Sequence, residues 1–290
     1  MPTKIEKDEI TGQTTTGHEW DGIKELNTPL PRWWLTVWYV CIAWAVVYWV
    51  LYPAWPLIHG YTHGILGYST RMALVQDMKT AEAAQAGYIK QIEATPVTEI
   101  PKNPKLLEFA LAGGRSAFGN NCAPCHGSGA QGGHGYPNLN DDDWLWGGTI
   151  ADIYTTIQHG IRSPTDPDTR QNDMPRFLAD GILKADQVND VAEYVLSLTN
   201  RSTEPAAAKR GEKIFTDNCV ACHGQRGIGN PQLGAPRLSD QIWLYGGDKA
   251  AIVQTVSYAH RGVMPAWKGR LDDATIKELT IYVHSLGGGQ

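Results

Sequence analysis

Two short motifs carry the reactive side chains of this 290-residue chain. Cys122-Ala-Pro-Cys125-His126 and Cys219-Val-Ala-Cys222-His223 each set two thiols three positions apart, with an imidazole directly after them. That grouping suits one joint role, in which both thiols add across the vinyl groups of a haem and the imidazole becomes the proximal ligand of its iron. Other chemistries fit less well. Tetrahedral zinc sites made of four cysteines bring their pairs together at spacings of roughly 12–20 residues, whereas Cys125 and Cys219 are 94 positions apart and each pair has its own histidine. A disulfide or dithiol redox site would leave the repeat around the motifs unexplained. The one remaining cysteine, Cys41, lies inside an apolar run, so the chain carries no disulfide framework.

The motifs sit in a tandem duplication with an offset of 97 residues. Gly114 to Phe118 matches Gly211 to Phe215, and Pro137-Asn-Leu-Asn-Asp141 matches Pro236-Arg-Leu-Ser-Asp240. Trp144-Leu-Trp-Gly-Gly148 matches Trp243-Leu-Tyr-Gly-Gly247, His159-Gly-Ile pairs with His260-Arg-Gly-Val, and Tyr194 to Leu198 matches Tyr282 to Leu286. Met174-Pro and Met264-Pro also correspond, 48 and 41 positions past their proximal histidines, and no other methionine of the five recurs. The following proline pushes each methionine into extended backbone, which presents its thioether as a sixth ligand. Each methionine most simply serves the iron of its own half. Spacing leaves two alternatives open: exchange of the methionines between halves, and bis-histidine ligation through His134 or His159. With both axial positions filled by protein, the irons have no open place for oxygen or peroxide, which favours electron transfer over catalysis. Trp144, Trp243, His159 and His260 recur and would pack on the haems or bond their propionates, or simply fill the core.

Each half needs the same elements to hold these groups. A short helix is predicted to begin at Gly114 or Gly211 and to end at the cysteines. A middle helix follows over Ile150–His159 or Ala251–His260. A loop then carries Met-Pro, and a final helix runs over Ala185–Leu198 or Asp273–Leu286. The fold expected is all-α: one N-terminal transmembrane helix, then two tandem haem domains at 113–200 and 201–290.

Upstream, Trp33 to Tyr52 contains no charge and no histidine, and as a helix it would cover roughly 30 Å, one bilayer core. Pro31, Pro53 and Pro56 punctuate its ends. Trp33, Trp34, Tyr52 and Trp55 are interfacial anchors, while Trp38, Trp44, Tyr48 and Trp49 lie deeper, where they would pack on other membrane helices. Ala43-Trp44-Ala45 has the small-x-small form of a cleavage site, but it falls mid-run with 32 residues before the run, so an uncleaved anchor is expected. Residues 1–32 form the N-terminal segment and 53–112 a linker, with a helix over 72–94 and an extended Pro-rich connector over 95–104. Lys24 and Arg32 precede the span and no Lys or Arg follows until Arg71, which favours an N-terminus inside the cell.

Charge is uneven. Residues 1–112 carry −2, residues 113–200 carry −6 and residues 201–290 carry +3. Nothing in this resembles a nucleic-acid-binding surface. The acidic first half could instead steer a basic partner toward its iron.

The two halves resemble cytochromes c, in which the first and last helices cross closely. Phe118 with Tyr194, and Phe215 with Tyr282, would fill those crossings, and haem attachment in that family implies a periplasmic location. The stretch Gly17-His-Glu-Trp-Asp-Gly-Ile23, Glu25 to Trp34 and Tyr52-Pro-Ala-Trp-Pro56 resembles the FixP/CcoP subunit of cbb3-type cytochrome c oxidases. The resemblance runs over essentially the whole chain. It implies two covalently bound haem c groups held by Cys122, Cys125, His126, Met174, Cys219, Cys222, His223 and Met264. It also implies a single-pass protein of the bacterial inner membrane. Electrons would come from a soluble donor cytochrome c and pass to a mono-haem subunit, then to the haem-copper subunit that reduces O2. A free-standing dihaem carrier and a dihaem peroxidase are the other readings; copurifying partners and a carbon monoxide difference spectrum would separate them.

Overall fold

The computed structural model describes residues 4–287. The chain divides into two compact units, one up to Ala83 and one from Ala84 onward. Secondary structure is mostly helical, as the sequence led us to expect, but the first unit also contains two hairpins. β1 (Thr15–Trp20) and β2 (Ile23–Leu26) pair antiparallel across Asp21-Gly22, both residues at positive φ, as an Asp-Gly hairpin turn requires. α1 (Arg32–Leu51) lies one residue upstream of the run placed at 33–52, none of its residues is buried within the chain, and it is long and apolar enough to cross a membrane. β3 (Pro56–Leu57) and β4 (Gly60–Tyr61) form the second hairpin. α2 (Thr70–Ala94) begins two residues before the helix expected over 72–94.

The second unit departs from the sequence reading in three ways. The connector over 95–104 is not extended: Val97–Lys102 makes a 3-10 turn whose apolar Val97 and Ile100 are buried, because residues three apart stack on one side of such a turn. The first helices begin well before the glycines. α3 is Pro104–Asn121, capped by Asn103, and α7 is Pro205–Asn218. The boundary placed at 112/113 therefore falls inside α3. Gly114 and Gly211 lie mid-helix where another backbone approaches. A Cβ on Gly114 would collide with the Glu278 carbonyl oxygen, and one on Gly211 with that of Asp190.

Those two contacts carry the third departure. α6 (Ala185–Ser197) packs on α7, and α10 (Asp273–Ser285) packs on α3. The final helices of the two halves have changed places. The rings at the crossings follow: Phe118 meets Tyr282 at 5.5 Å and Phe215 meets Tyr194 at 5.0 Å, the reverse of the pairing expected. The cause is chain connectivity. Only residues 198–204 join α6 to α7, and helices joined by so short a loop pack as antiparallel neighbours. Fully buried Glu193 locks the corner. Its carboxylate accepts from Ser202 Oγ, Thr203 N and Glu204 N at 2.6–3.2 Å and pairs with Lys249 at 2.8 Å. At the other crossing, Lys277 on α10 donates to the carbonyls of Ile92, Glu93 and Thr95, closing the end of α2.

Three buried clusters form among the described residues, and two of them draw substantially on both halves. One gathers Phe118, Ile153 and Ile157 with Ile276, Leu279 and Val283; the other gathers Phe177, Val191 and Val195 with Phe215, Ile252 and Val256.

Candidate haem sites

Each motif is one turn of helix at the end of a longer one. Cys122 closes α3 through its N–H to the Phe118 carbonyl, and α4 (Ala123–His126) follows. Cys219 closes α7 in the same way, and α8 (Val220–His223) follows. Gly127 and Gly224, at φ 82 and 72, end the turns. The His126 and His223 backbone N–H groups bond the carbonyls of Cys122 and Cys219, each at 2.9 Å. The turn thus holds both thiols and the ring in one place.

The rings of His126 and His223 are each fixed by a carbonyl that sequence reasoning paired across the repeat without giving it a role. His126 Nδ1 lies 3.0 Å from the Pro137 oxygen, and His223 Nδ1 lies 2.9 Å from that of Pro236. A carbonyl only accepts, so Nδ1 carries the hydrogen and Nε2 keeps its lone pair for a metal. Burial holds both imidazoles below the usual histidine pKa, against the opposing pull of those carbonyls. Burial, and secondarily the neighbouring motif cysteine, pushes the Cys122 and Cys219 thiols up to about 11. Around the second motif the walls are largely apolar, which suits the face of a porphyrin.

The methionines follow the exchanged helices. Met174, in the first half, lines the cavity that holds Cys219, Cys222 and His223. That cavity has about 1350 Å3 of empty space, solvent at its mouth included. Met264, in the second half, packs into the core that contains Cys122 and Phe118. Backbone bonds set both loops. Met264 exchanges N–H···O bonds with Ile161 at 2.9 and 3.0 Å, just past α5 (Ile150–His159), while Phe177 and Ala179 donate to the carbonyls of Val256 and Ser257 in α9 (Lys249–Tyr258). Each methionine thus lies beside the motif of the other half, the exchanged arrangement that spacing had left open. The short α6–α7 corner carries Met174 over with α6 and leaves Met264 to the first motif.

His134 and His159, the alternative sixth ligands, are engaged elsewhere. His159 Nδ1 lies 3.1 Å from a carboxylate oxygen of Asp166, and the ring of His134 stands edge-on to Tyr245. The match of His159 with His260 also slips. Gly160 and Ala259 hold the same place after α5 and α9, both at positive φ, so His159 corresponds to Tyr258. The cause is a helix α9 that ends two residues earlier than expected; His260 instead stacks on Tyr245 with centroids 3.9 Å apart.

Whether the second cavity fits a haem can be judged from its polar atoms. Trp243 Nε1 lines it and is buried without a partner, and buried Arg201 Nη2 is also unpaired, its guanidinium 5.4 Å over the Trp243 ring. One orphaned donor in the wall of an apolar pocket, with a second beside it, matches the carboxylates that a haem carries at one edge. Arg201 was missed from sequence because it lies outside the repeat; its signal was proximity to a recurring tryptophan, which only the fold supplies.

Comparisons with known proteins agree along the whole length. Residues 12–59 match the N-terminal domain of cytochrome oxidase-cbb3, FixP; residues 111–199 match cytochrome c; residues 206–283 match cytochrome C oxidase, cbb3-type, subunit III. The cbb3-type cytochrome c oxidase subunit CcoP of Azospirillum brasilense is 58% identical, covering 98% of this chain and 99% of its own. Subunit FixP of Bradyrhizobium diazoefficiens is 53% identical over the full length of both chains, and CcoP of Cereibacter sphaeroides is 50% identical over the same extent. A membrane-anchored chain with two cytochrome c regions and such relatives belongs to the CcoP/FixP family of cbb3-type cytochrome c oxidase subunits.

Proposed function

We propose that the chain holds two covalent haem c groups with exchanged axial ligands. Cys122, Cys125 and His126 would take one with Met264 as sixth ligand, and Cys219, Cys222 and His223 the other with Met174. The haems supply one-electron redox chemistry. The chain's own residues orient the imidazoles through Pro137 and Pro236, close the sixth positions and exclude water from the pockets. Within the oxidase this makes the chain an electron-transfer subunit. Electrons would come from a soluble donor cytochrome c and leave to the mono-haem subunit, then to the haem-copper subunit. Lys24 and Arg32 before α1, with no further cation until Arg71, support a single pass through the bacterial inner membrane with a cytoplasmic N-terminus and periplasmic haem sites.

The observation that carries this reading is Met174 in the wall of the cavity around Cys219, Cys222 and His223. The test uses chains that keep one motif, the other having both cysteines replaced by alanine. With only the first motif intact, Met264→His should remove the methionine–iron charge-transfer band and lower the midpoint potential by something on the order of 100 mV or more. Met174→His should leave both unchanged. With only the second motif intact, the two substitutions should exchange effects. Loss of the band from Met174→His on the first motif would show that each half keeps its own ligand.

A further inference from the structure

Apart from the anchor Trp55, the segment after the span has no role beyond that of a linker, and its composition is unusual. No Asp, Glu, Lys or Arg occurs between Arg32 and Arg71, yet α1 uses only Arg32–Leu51 of that stretch. The remainder does not run off as an open loop. It turns at the β3–β4 hairpin, closed by Thr62 N to the Trp55 oxygen at 2.9 Å and Trp55 N to Thr62 Oγ1 at 3.0 Å. It then folds back onto the helix end. Ile65 N and Leu66 N donate to the carbonyls of Val50 and Leu51 at 2.9 and 3.1 Å, two of the last carbonyls that a helix leaves open. The approach is so close that a Cβ on Gly64, at φ +70, would collide with the Leu51 oxygen.

Covering those carbonyls with backbone rather than water is what a nonpolar surround demands. The side chains point the same way. Leu57, Ile58, Ile65 and Leu66 are 61%, 94%, 76% and 57% exposed, and Trp55, Tyr61, His59 and His63 stand among them. Trp55 is packed edge-on to Trp49 of the helix, and Tyr68 edge-on to Tyr52. Aliphatics interleaved with amphipathic rings, directly at the end of a span, are the composition of the bilayer interface. The other flank contrasts: Glu19, Lys24, Glu25 and Arg32 lie at or shortly before the helix start.

We infer that residues 53–68 form a lipid-seated collar. The hairpin lies in the boundary between headgroups and acyl chains, with Ile58 at its tip reaching roughly 5–10 Å into it, and fixes the depth of α1. The partner is the lipid surface itself rather than a further protein chain.

The complete oxidase in lipid nanodiscs tests this. Cys41 is replaced by alanine, and a single cysteine at Ile58, or in a second variant at Ile65, is labelled with an environment-sensitive fluorophore, with one label per chain confirmed by mass. A third label at Ile10, 94% exposed in the charged N-terminal segment, is the aqueous reference. Lipids brominated near the headgroup should quench the labels at 58 and 65 more than lipids brominated near the chain end. Dissolved iodide should quench only the label at 10. Quenching of 58 and 65 by iodide would put the hairpin in water and overturn the inference. Protection from both quenchers would mean that another subunit covers it, and would overturn it equally.

Discussion

Glu278 shows what the duplication left unequal at the level of single side chains. Its place on α10 corresponds to Asp190 on α6, four residues before the crossing tyrosine in each case. Asp190 is answered by Arg210, whose Nε and Nη2 lie 2.8 and 2.5 Å from its oxygens. Opposite Glu278 the same place on α3 is Gly113, so the buried carboxyl has no cation there. Burial, and then the charge of Asp272, pushes its pKa up to about 7. A carboxyl raised in this way favours folding only while protonated. Its contribution is intact below the unfolded value near 4.5 and falls as pH rises through 7. Glu278→Gln should therefore change little at pH 5 and stabilise the full-length chain by about 2 kcal/mol at pH 8. Thermal midpoints followed at the haem absorbance would check this, and a gain independent of pH would contradict it. The cysteines, histidines and methionines offered for the sites could be picked out in the sequence because they recur in both halves. The carbonyls of Pro137 and Pro236, and Arg201 beside Trp243, were not, because backbone acceptors and donors outside the repeat acquire meaning only through folding.

The middle and final helices of each half were legible to within a turn. α5 begins after Thr149, whose Oγ1 accepts from Asp152 N at 3.1 Å, and its observed limits are those expected. The starts placed at Gly114 and Gly211 were wrong, because there the missing side chain marks a crossing and not an end; the helices begin at Pro104, after the Asn103 cap, and at Pro205. The ends of α5 and α9 expose another inequality between the halves. Gly160 and Ala259 adopt nearly the same conformation, φ 67 and ψ −168 against φ 57 and ψ 170, a region that suits glycine and strains alanine. Ala259→Gly should stabilise the chain by about 1 kcal/mol. Gly160→Ala should do the opposite, since its Cβ would collide with the Met264 oxygen and force that loop outward. Chemical denaturation of the two variants, with the methionine–iron band followed alongside, should show opposite shifts in midpoint, and a weakened band in Gly160→Ala alone.

At the scale of the molecule, the long helices and the two Cys-x-x-Cys-His motifs were legible, but the partnership of the helices was not, nor were the one-turn helices α4 and α8 at the motifs. α3 and α7 present the same glycine-and-phenylalanine crossing face, and α6 and α10 the same tyrosine face, so either pairing satisfies the apolar pattern; the shortness of residues 198–204 decides between them. The exchange also gathers charge. Asp141 and Asp240, equivalent in the duplication, act on Asp143 together, and burial with those two carboxylates raises its pKa to about 6. With the −6 of residues 113–200, this acidic surface would favour a basic donor. The second-order rate of oxidation of a basic cytochrome c by the oxidase should fall steadily with added potassium chloride. Stopped-flow rates that do not change with salt would remove the steering role.

The crossing of segments also imposes an order on biosynthesis. Met264 and α10 follow His126 by more than a hundred residues, so the first haem pocket is the first to leave the ribosome and the last to be closed. A chain cut short after α6 would keep one complete Cys-x-x-Cys-His motif but lose Met264 and the helix that covers it. Its α6 would meanwhile offer a tyrosine face with no α7 to receive it. Neither half is a module that can be shortened or transplanted by itself, although the sequence reads as two copies of one.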